Sequence, residues 1–575
     1  MTVKHMRKVG QGDRSFVPLD PVGQMTCPLV PPCATMTIMK NADTTKSIAR
    51  STAMMSALTL ISRVTGFIRT WAMAFALGNT VLAASFSLAN NLPNMIYELV
   101  AGGVLSTAFL PIYLQQRNAR SREEGNRYAS NLLSLALIFL GVIALLASLF
   151  SPQVMLTQTL FSSSSSETVE NAVWLFRFFA FQIVFYGVSA IFGGLLNAER
   201  EYFWPAISSV FMNLIIIVTF FAYPFVSSLS GQAGLLLLAI GTTLSIAVMA
   251  CVQIPALVKA GFRFRFHIDL HDEGLHETVR LALPAILCTA INLVSLSFMN
   301  SCALHVAPNG PASVSYAWMW YQFPYGVLGV ALSTALFTEM SDRMSRGDVY
   351  GFKQHLNMGL RTTCLLIIPM AAMLFVCSDE LIGLYTAGKF TASDIAPIAD
   401  LLRGWAFALP LYACYMFVYR AYSSLKNLKT VAICNLVFTC VQVFLYMIFT
   451  GVIAVPGFSS LGLVGIACGD IVFYGLMLVV LLAILVRRRG GFGLGKLVIA
   501  CLKVTIATLI GGVVAELASW GIASVIDISN IFGSFIALVI TGIIGLSIIF
   551  VMCRILGVSE VTDFVHRLVR RLSRK

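Results

Sequence analysis

Residues 129–150 read ASNLLSLALIFLGVIALLASLF, an unbroken apolar run with no charged side chain and no alternation between apolar and polar positions. A membrane β-strand changes character at every second residue, so a continuous run of this kind predicts a helix. One crossing of the hydrocarbon takes about 20 such residues, and this stretch meets that length. Similar runs lie near 52–77, 82–114, 172–196, 205–226, 233–258 and 278–304, and again near 313–340, 356–377, 397–422, 431–454, 461–486, 497–519 and 530–553. With residues 129–150 these make fourteen predicted spans joined by short connections.

The whole chain has the composition that this pattern requires. Its 575 residues are 58% hydrophobic and 11% charged, with a mean hydropathy of +0.84. Soluble domains carry about 25% charged residues, so large catalytic domains and dinucleotide-binding sheets are excluded. The cysteines, among them Cys251, Cys288, Cys364, Cys414 and Cys468, stand singly in apolar runs with no C-x-x-C pair, which predicts buried thiols rather than zinc ligands or a disulfide framework. No signal peptide precedes the first apolar run, and Met25, Met36 and Met39 are alternative starts within the polar segment 1–50.

Charge position tests the span count. An even number of spans puts both termini on one side, and the connections of that side hold 33 of the 39 Lys and Arg residues against Lys389 alone opposite. The other five, Arg63, Arg69, Arg177, Arg403 and Arg420, fall within spans. Basic connections stay cytoplasmic, so both termini are predicted there, in a multi-pass protein of the cell membrane. The net charge of +13 then reflects topology and anionic headgroups, and no nucleic-acid partner is called for.

Several motifs point to no chemistry. Gly490-Gly491-Phe492-Gly493-Leu494-Gly495-Lys496 imitates a phosphate loop but lacks Ser or Thr after the lysine and a preceding strand. His267, Asp269, His271, Asp272 and His276 cluster in one connection, and on a helix His267 and His271 would share a face. No thiolate completes a tetrahedral metal set there, so a solvated amphipathic connector is predicted. Ser162 to Ser166 is a low-complexity loop, and Pro93, Pro111, Pro205, Pro284, Pro324, Pro369 and Pro410 permit kinks within or beside spans.

The second span is different. Asn91, Asn94 and Glu98 repeat at helical spacing on one face, and Arg63 and Arg69 occupy the first span. Charge at membrane depth is costly unless it meets water or a partner, which predicts a polar cavity. Snorkelling of the arginines, or pairing with Glu98, is the alternative. Six residues apart on a straight helix, the arginines differ by roughly 9 Å of rise and about 120° of rotation, so both reach one cavity only if it is wide or the helix bends at Gly66. Glu339 and Asp470 are further acidic residues within spans.

These residues also carry a family resemblance. Ser62-Arg63-Val64-Thr65-Gly66-Phe67-Ile68-Arg69, Leu92-Pro93-Asn94 and Gly103-Val104-Leu105-Ser106-Thr107-Ala108-Phe109-Leu110-Pro111 resemble the opening of the MurJ (MviN) lipid II flippases. The likeness continues through Leu196-Asn197 with Pro205, Phe323 to Leu332, Gly388-Lys389-Phe390-Thr391, and Tyr422-Ser423 before Lys429-Thr430. It implies an all-α exporter of the MOP superfamily with fourteen helices, in two pseudo-symmetric six-helix lobes around a central cavity plus two C-terminal helices. On this chain the lobes correspond to 51–258 and 278–486, with a cytoplasmic linker at 259–277, two further spans in 487–553 and a basic tail at 554–575. The resemblance further implies a transporter, not an enzyme, that flips lipid II outward for cell-wall synthesis beside other wall-synthesis proteins. Arg63 and Arg69 match the motif arginines that engage the pyrophosphate, with Asn91, Asn94 and Glu98 beside them. Ala84, Tyr97, Gly102 and Met319 depart from charged residues common in the family, which leaves another polyprenyl-linked saccharide or amphiphile as the alternative cargo, and a membrane scaffold for wall-synthesis enzymes as a third reading. No cofactor is expected. Without a nucleotide motif the energy source is the membrane potential or an ion gradient, and Asn435 with Asp470, near Thr439, forms a candidate cation site.

Overall fold

Polar residues at the junctions start and stop the helices. Ser121 opens the helix carrying the stretch quoted above. Its hydroxyl accepts from the Glu124 N–H at 3.2 Å, and Glu123 and Glu124 put negative charge on the first turn. Asp272, Asp348 and Asn530 cap three other helices in the same way. The Gly351 N–H, with Arg343, holds the Asp348 carboxyl below its ordinary value.

A computed structural model describes residues 54, 57–98, 109–119, 121–162, 167–527 and 529–558, except the side chains at 96–98, 110–111, 118–119, 281–289 and 331. The helices are α1 (57–77), α2 (Val81–Glu98), α3 (Leu110–Ala119), α4 (Arg122–Leu149), α5 (Ser151–Leu156), α6 (Glu167–Phe179), α7 (Gln182–Ala198), α8 (Phe203–Leu229), α9 (Gly231–Cys251) and α10 (Ile254–Lys259). They continue as α11 (Glu273–Val306), α12 (Gly310–Pro324), α13 (Val330–Ser345), α14 (Val349–Val376), α15 (Ser378–Gly383), α16 (Ile395–Ser424), α17 (Leu428–Phe449), α18 (Val464–Arg489), α19 (Leu494–Ala523) and α20 (Ile531–Ile555). No strand occurs among the described residues.

Every predicted span falls mainly on helix where it is described, with non-helical residues that include 180–181, 252–253, 450–454 and 461–463, and the chain is an all-helical multi-pass membrane protein. By length and apolarity alone, nine helices among the described residues qualify as spans. A tenth comes from α6 and α7 taken together across their 45° bend. The fourteen predicted spans are therefore not all recovered by that measure. The predicted spans that fall outside the nine and the bent pair lie on α1, α2, α11 and α12; of these, α12 is 15 residues long, and the stretch Ala290–Val306 of α11 is apolar but short.

The run 82–114 is helical at Val81–Glu98 and at Leu110–Ala119, and its residues 99–108 lie outside the described residues. One expectation changes. The connector at 259–277 is not helical between 263 and 269, so His267 and His271 share no helix face. That segment lies extended against α4, where Ser130, Ser134 and Asn131 accept the backbone N–H groups of Arg265, His267 and Asp269. Side-chain acceptors thereby replace the helix's own bonds. The tails 1–50 and 559–575, and part of the Ser162–Ser166 loop, lie outside the described residues.

Aromatic and aliphatic side chains knit the helices in groups. Phe109, Tyr113 and Tyr128 stack between α3 and α4. Leu336, Phe352, Phe417, Tyr422 and Leu481 join α13, α14, α16 and α18. The largest cluster runs from α1 and α2 through α8, α11 and α12 to α16. Pro324 ends the α-ladder of α12, and a π-turn over Tyr325–Gly329 follows, closed by the Val330 N–H on the Tyr325 carbonyl.

Glycines set the closest helix approach between α19 and α20. A Cβ at Gly511 would stand 2.3 Å from Ile549 Cγ1 and 3.0 Å from its backbone nitrogen. Small residues at such crossings allow close backbone packing in lipid. Gly511→Val is expected to destabilise the protein by about 1–3 kcal/mol. Thermal unfolding in detergent checks this, and an unchanged transition would contradict the crossing.

Candidate functional site

The polar face of α2 is longer than the sequence reading had it. Ser87, Asn90, Asn91 and Asn94 follow helical spacing and, with Arg69 and Thr70 of α1, line a cavity of about 580 Å³. Ser209 and Met212 of α8, Tyr186 of α7, Asn300 and Met299 of α11, and Ser315, Trp318 and Met319 of α12 also line it, with apolar residues such as Met73, Phe86, Phe220 and Met249 between them. Helices α1 and α2 give most of the polar side chains to this space, and α7, α8, α11 and α12 close it. Arg69 is the one charged side chain among the described lining residues.

Local bonds hold this wall in place. Tyr186 donates its hydroxyl to Asn94 Oδ1 at 2.5 Å. Asn300 donates to Gln158 Oε1 at 2.8 Å, and Gln158 in turn to Ser297 at 2.5 Å. The ion pairs among the described residues, such as Arg117 with Glu199 and Arg403 with Asp379 and Asp400, lie elsewhere. Arg69 therefore presents positive charge among amides and hydroxyls, an arrangement suited to an anion. The side chain of Glu98 lies outside the described residues, as do that of Tyr97 and all of Gly102.

Arg63 and Arg69 are not brought together. Helix α1 runs unbroken across Gly66, so the six-residue step turns Arg63 away from the cavity. Arg63 is exposed and meets the π-turn, where a Cβ at Gly326 would stand 2.8 Å from its Nη1. Asn91 and Asn94 join Arg69 as the helical spacing predicts. The aromatic wall at Trp318 and the amide at Asn300 were missed, since each is an isolated residue in an apolar run. Ser87 and Asn90, by contrast, continue the readable stripe.

Asn435 and Asp470 face different partners. Asn435 donates to Asn292 at 2.9 Å. Asp470 Oδ1 accepts from Gln442 at 2.7 Å and from the Tyr446 hydroxyl, and its Oδ2 accepts from Trp405 Nε1 at 2.7 Å. Both carboxylate oxygens are thus engaged by neutral donors, while Asn435 Oδ1 and Thr439 Oγ1 are buried without a hydrogen-bond partner. Small cations need several convergent oxygens, and this set does not supply them on one centre. No group of three or more His, Cys, Asp or Glu suited to a metal occurs among the described residues. What Asp470 does hold is Trp405, whose ring contacts Trp318 edge-on at 5.4 Å, so the carboxylate supports the cavity's aromatic wall from behind.

Comparison with known proteins places this architecture. A family model described as "Lipid II flippase MurJ" matches residues 73–552. A protein of Borreliella burgdorferi named "Probable lipid II flippase MurJ" is 22% identical over 522 residues, covering 90% of this chain and 98% of its own length. One of the same name from Rhizobium meliloti is 28% identical over 454 residues, covering 77% and 81%. Among solved structures, "Lipid II flippase MurJ, inward closed conformation" superposes with a TM-score of 0.72 at 22% identity, over 89% of this chain and 99% of that one. An inward-facing multidrug resistance MATE family transporter of the MOP superfamily follows at 0.64 and 18%, over 76% and 98%.

Removing the acceptor at Asp470 leaves the Trp405 N–H and the Tyr446 O–H buried without it, while the Gln442 amide keeps the Tyr446 oxygen at 2.8 Å. Asp470→Leu is expected to cost about 2 kcal/mol or more, at about 1–3 kcal/mol per orphaned group, with Asp470→Asn milder. Comparing their unfolding in detergent checks this, and equal stability of Asp470→Leu and wild type would contradict the network.

Proposed function

This chain belongs to the lipid II flippase MurJ family, and we propose on that premise that it carries lipid II from the cytoplasmic to the outer leaflet for cell-wall synthesis. It acts as a transporter, without a catalytic step or cofactor. The observation that carries this reading is the amide- and hydroxyl-lined cavity with Arg69 at membrane depth. A diphosphate-linked sugar cannot cross hydrocarbon alone, because its charges and hydroxyls would lose their hydration. Arg69 replaces water at the diphosphate through charge-assisted bonds, Asn90, Asn91 and Asn94 do so at the sugar and peptide, and the apolar tail stays in lipid.

Transport then proceeds by alternating access between an N-terminal lobe, 51–258, and a C-terminal lobe, 278–486, with the helices of 487–553 outside them. Both termini face the cytoplasm, as the 33-to-1 distribution of basic residues supports. Arg63, at the π-turn of the other lobe, guards the cytoplasmic mouth and meets the diphosphate first. An anion moving outward runs down the membrane potential by about 2.3 kcal/mol per charge per 100 mV, which makes the potential the driving force and leaves no need for a cation at Asp470.

A second reading, export of a different polyprenyl-linked saccharide, rests on Met319, which lines the cavity where relatives offer charge, and on Ala84, which is fully buried.

The experiment is replacement of a host's own flippase. Wild type is expected to sustain growth, Arg69→Ala to abolish it at normal protein levels, and Arg69→Lys to restore it only in part, since a lysine lacks the bidentate fork. Failure of wild type despite good membrane insertion would count against lipid II, and full activity of Arg69→Ala would remove Arg69 from the site. In vesicles with potential and sodium gradient set independently, flipping should follow the potential and ignore sodium. The reverse dependence would overturn the energy assignment.

A further inference from the structure

At the end of the bundle away from the basic connections, the turn between α1 and α2 meets the connection that follows α15. The Lys389 N–H donates to the Phe75 carbonyl at 3.0 Å. Trp71 Nε1 donates to the Leu384 carbonyl at 3.0 Å, and the Tyr316 hydroxyl to that of Gly78 at 2.6 Å. Two glycines in the left-handed region make the approach possible. A Cβ at Gly78, φ +68°, would stand 2.5 Å from the Lys389 carbonyl oxygen, and one at Gly388, φ +61°, 2.3 Å from that of Phe75. No larger residue fits either position without separating the two backbones.

This seam lies directly over the cavity. Met73 and Phe220 line the cavity, and Phe75 and Tyr223 stand within one turn beyond them. The exposed Lys389 side chain reaches back across the seam, with its Nζ 5.2 Å from the centroid of the Tyr223 ring. Lys389 is also the one Lys or Arg in the connections of that end. A cation–π contact of an exposed lysine is weak compared with a charge-assisted bond to phosphate, so an arriving diphosphate displaces the ring.

We infer that Lys389 is the exit-side contact for the substrate's diphosphate. With the seam closed its ammonium rests on Tyr223. As the lobes part, the ammonium transfers to the diphosphate leaving Arg69. A single point charge without arginine's fork binds the anion loosely enough to let it go. This inference rests on the lipid II reading above.

The test uses the purified full-length chain in vesicles, with lipid II on the entry side and inorganic pyrophosphate added only to the exit side. Pyrophosphate should slow wild type and Tyr223→Leu alike, because Tyr223 serves the closed seam only, and Lys389→Arg at lower concentration, because the fork holds the anion more tightly. Lys389→Gln should flip more slowly and need about tenfold more pyrophosphate for equal inhibition, the loss of one charge-assisted contact. Unchanged pyrophosphate sensitivity in Lys389→Gln would overturn the inference and leave the lipid II reading standing. If wild type moves no lipid II, that reading fails, and a binding measurement decides the inference separately. In the Arg69→Gln background, Lys389→Gln should weaken pyrophosphate binding by about tenfold, and equal binding would overturn the contact.

Discussion

A guanidinium held at membrane depth is the constraint from which the rest of the site follows. Arg69 cannot face hydrocarbon without a large loss of hydration, so the helices around it must enclose water and present oxygen and nitrogen atoms. That requirement explains why Ser87, Asn90, Asn91 and Asn94 share one face of α2. Long apolar helices such as α14, α19 and α20 give no side chain to the cavity and carry packing contacts instead.

Two of the contacts between the two parts of the chain stand out. At one end the backbones of 75–78 and 384–389 touch through glycines. Nearer the other end, Arg63 rests on the π-turn at Gly326. Neither contact is a packed hydrophobic surface of the kind that joins α19 to α20. They stand beside the aromatic and aliphatic cluster in which Phe67 of α1 meets Trp320 of α12 and Tyr385, with ring centroids 4.8 and 6.1 Å away.

Much of this was legible in the sequence because it depends on local spacing. Continuous apolar runs located helices at every predicted span that is described, and the 3.6-residue period placed Asn91 and Asn94 beside each other. The 120° step between Arg63 and Arg69 already signalled that one straight helix would not aim both into one cavity. What could not be read depends on distant partners. The Asp470 oxygens are engaged by Trp405, Gln442 and Tyr446, and nothing in the spacing of those residues announces it. The extended course of 263–269 was hidden for a similar reason, since Ser130, Asn131 and Ser134, more than a hundred residues earlier, supply its acceptors.

The central claim is that the substrate's diphosphate and first sugar occupy the Arg69 cavity. Photocrosslinking with a lipid II analogue that carries its reactive group on the sugar next to the diphosphate, followed by peptide mapping, tests it most directly. The account predicts adducts on α2 between Ser87 and Asn94 and on α12 near Trp318, lost in Arg69→Gln. Adducts confined to other helices, or unchanged by Arg69→Gln, would contradict it.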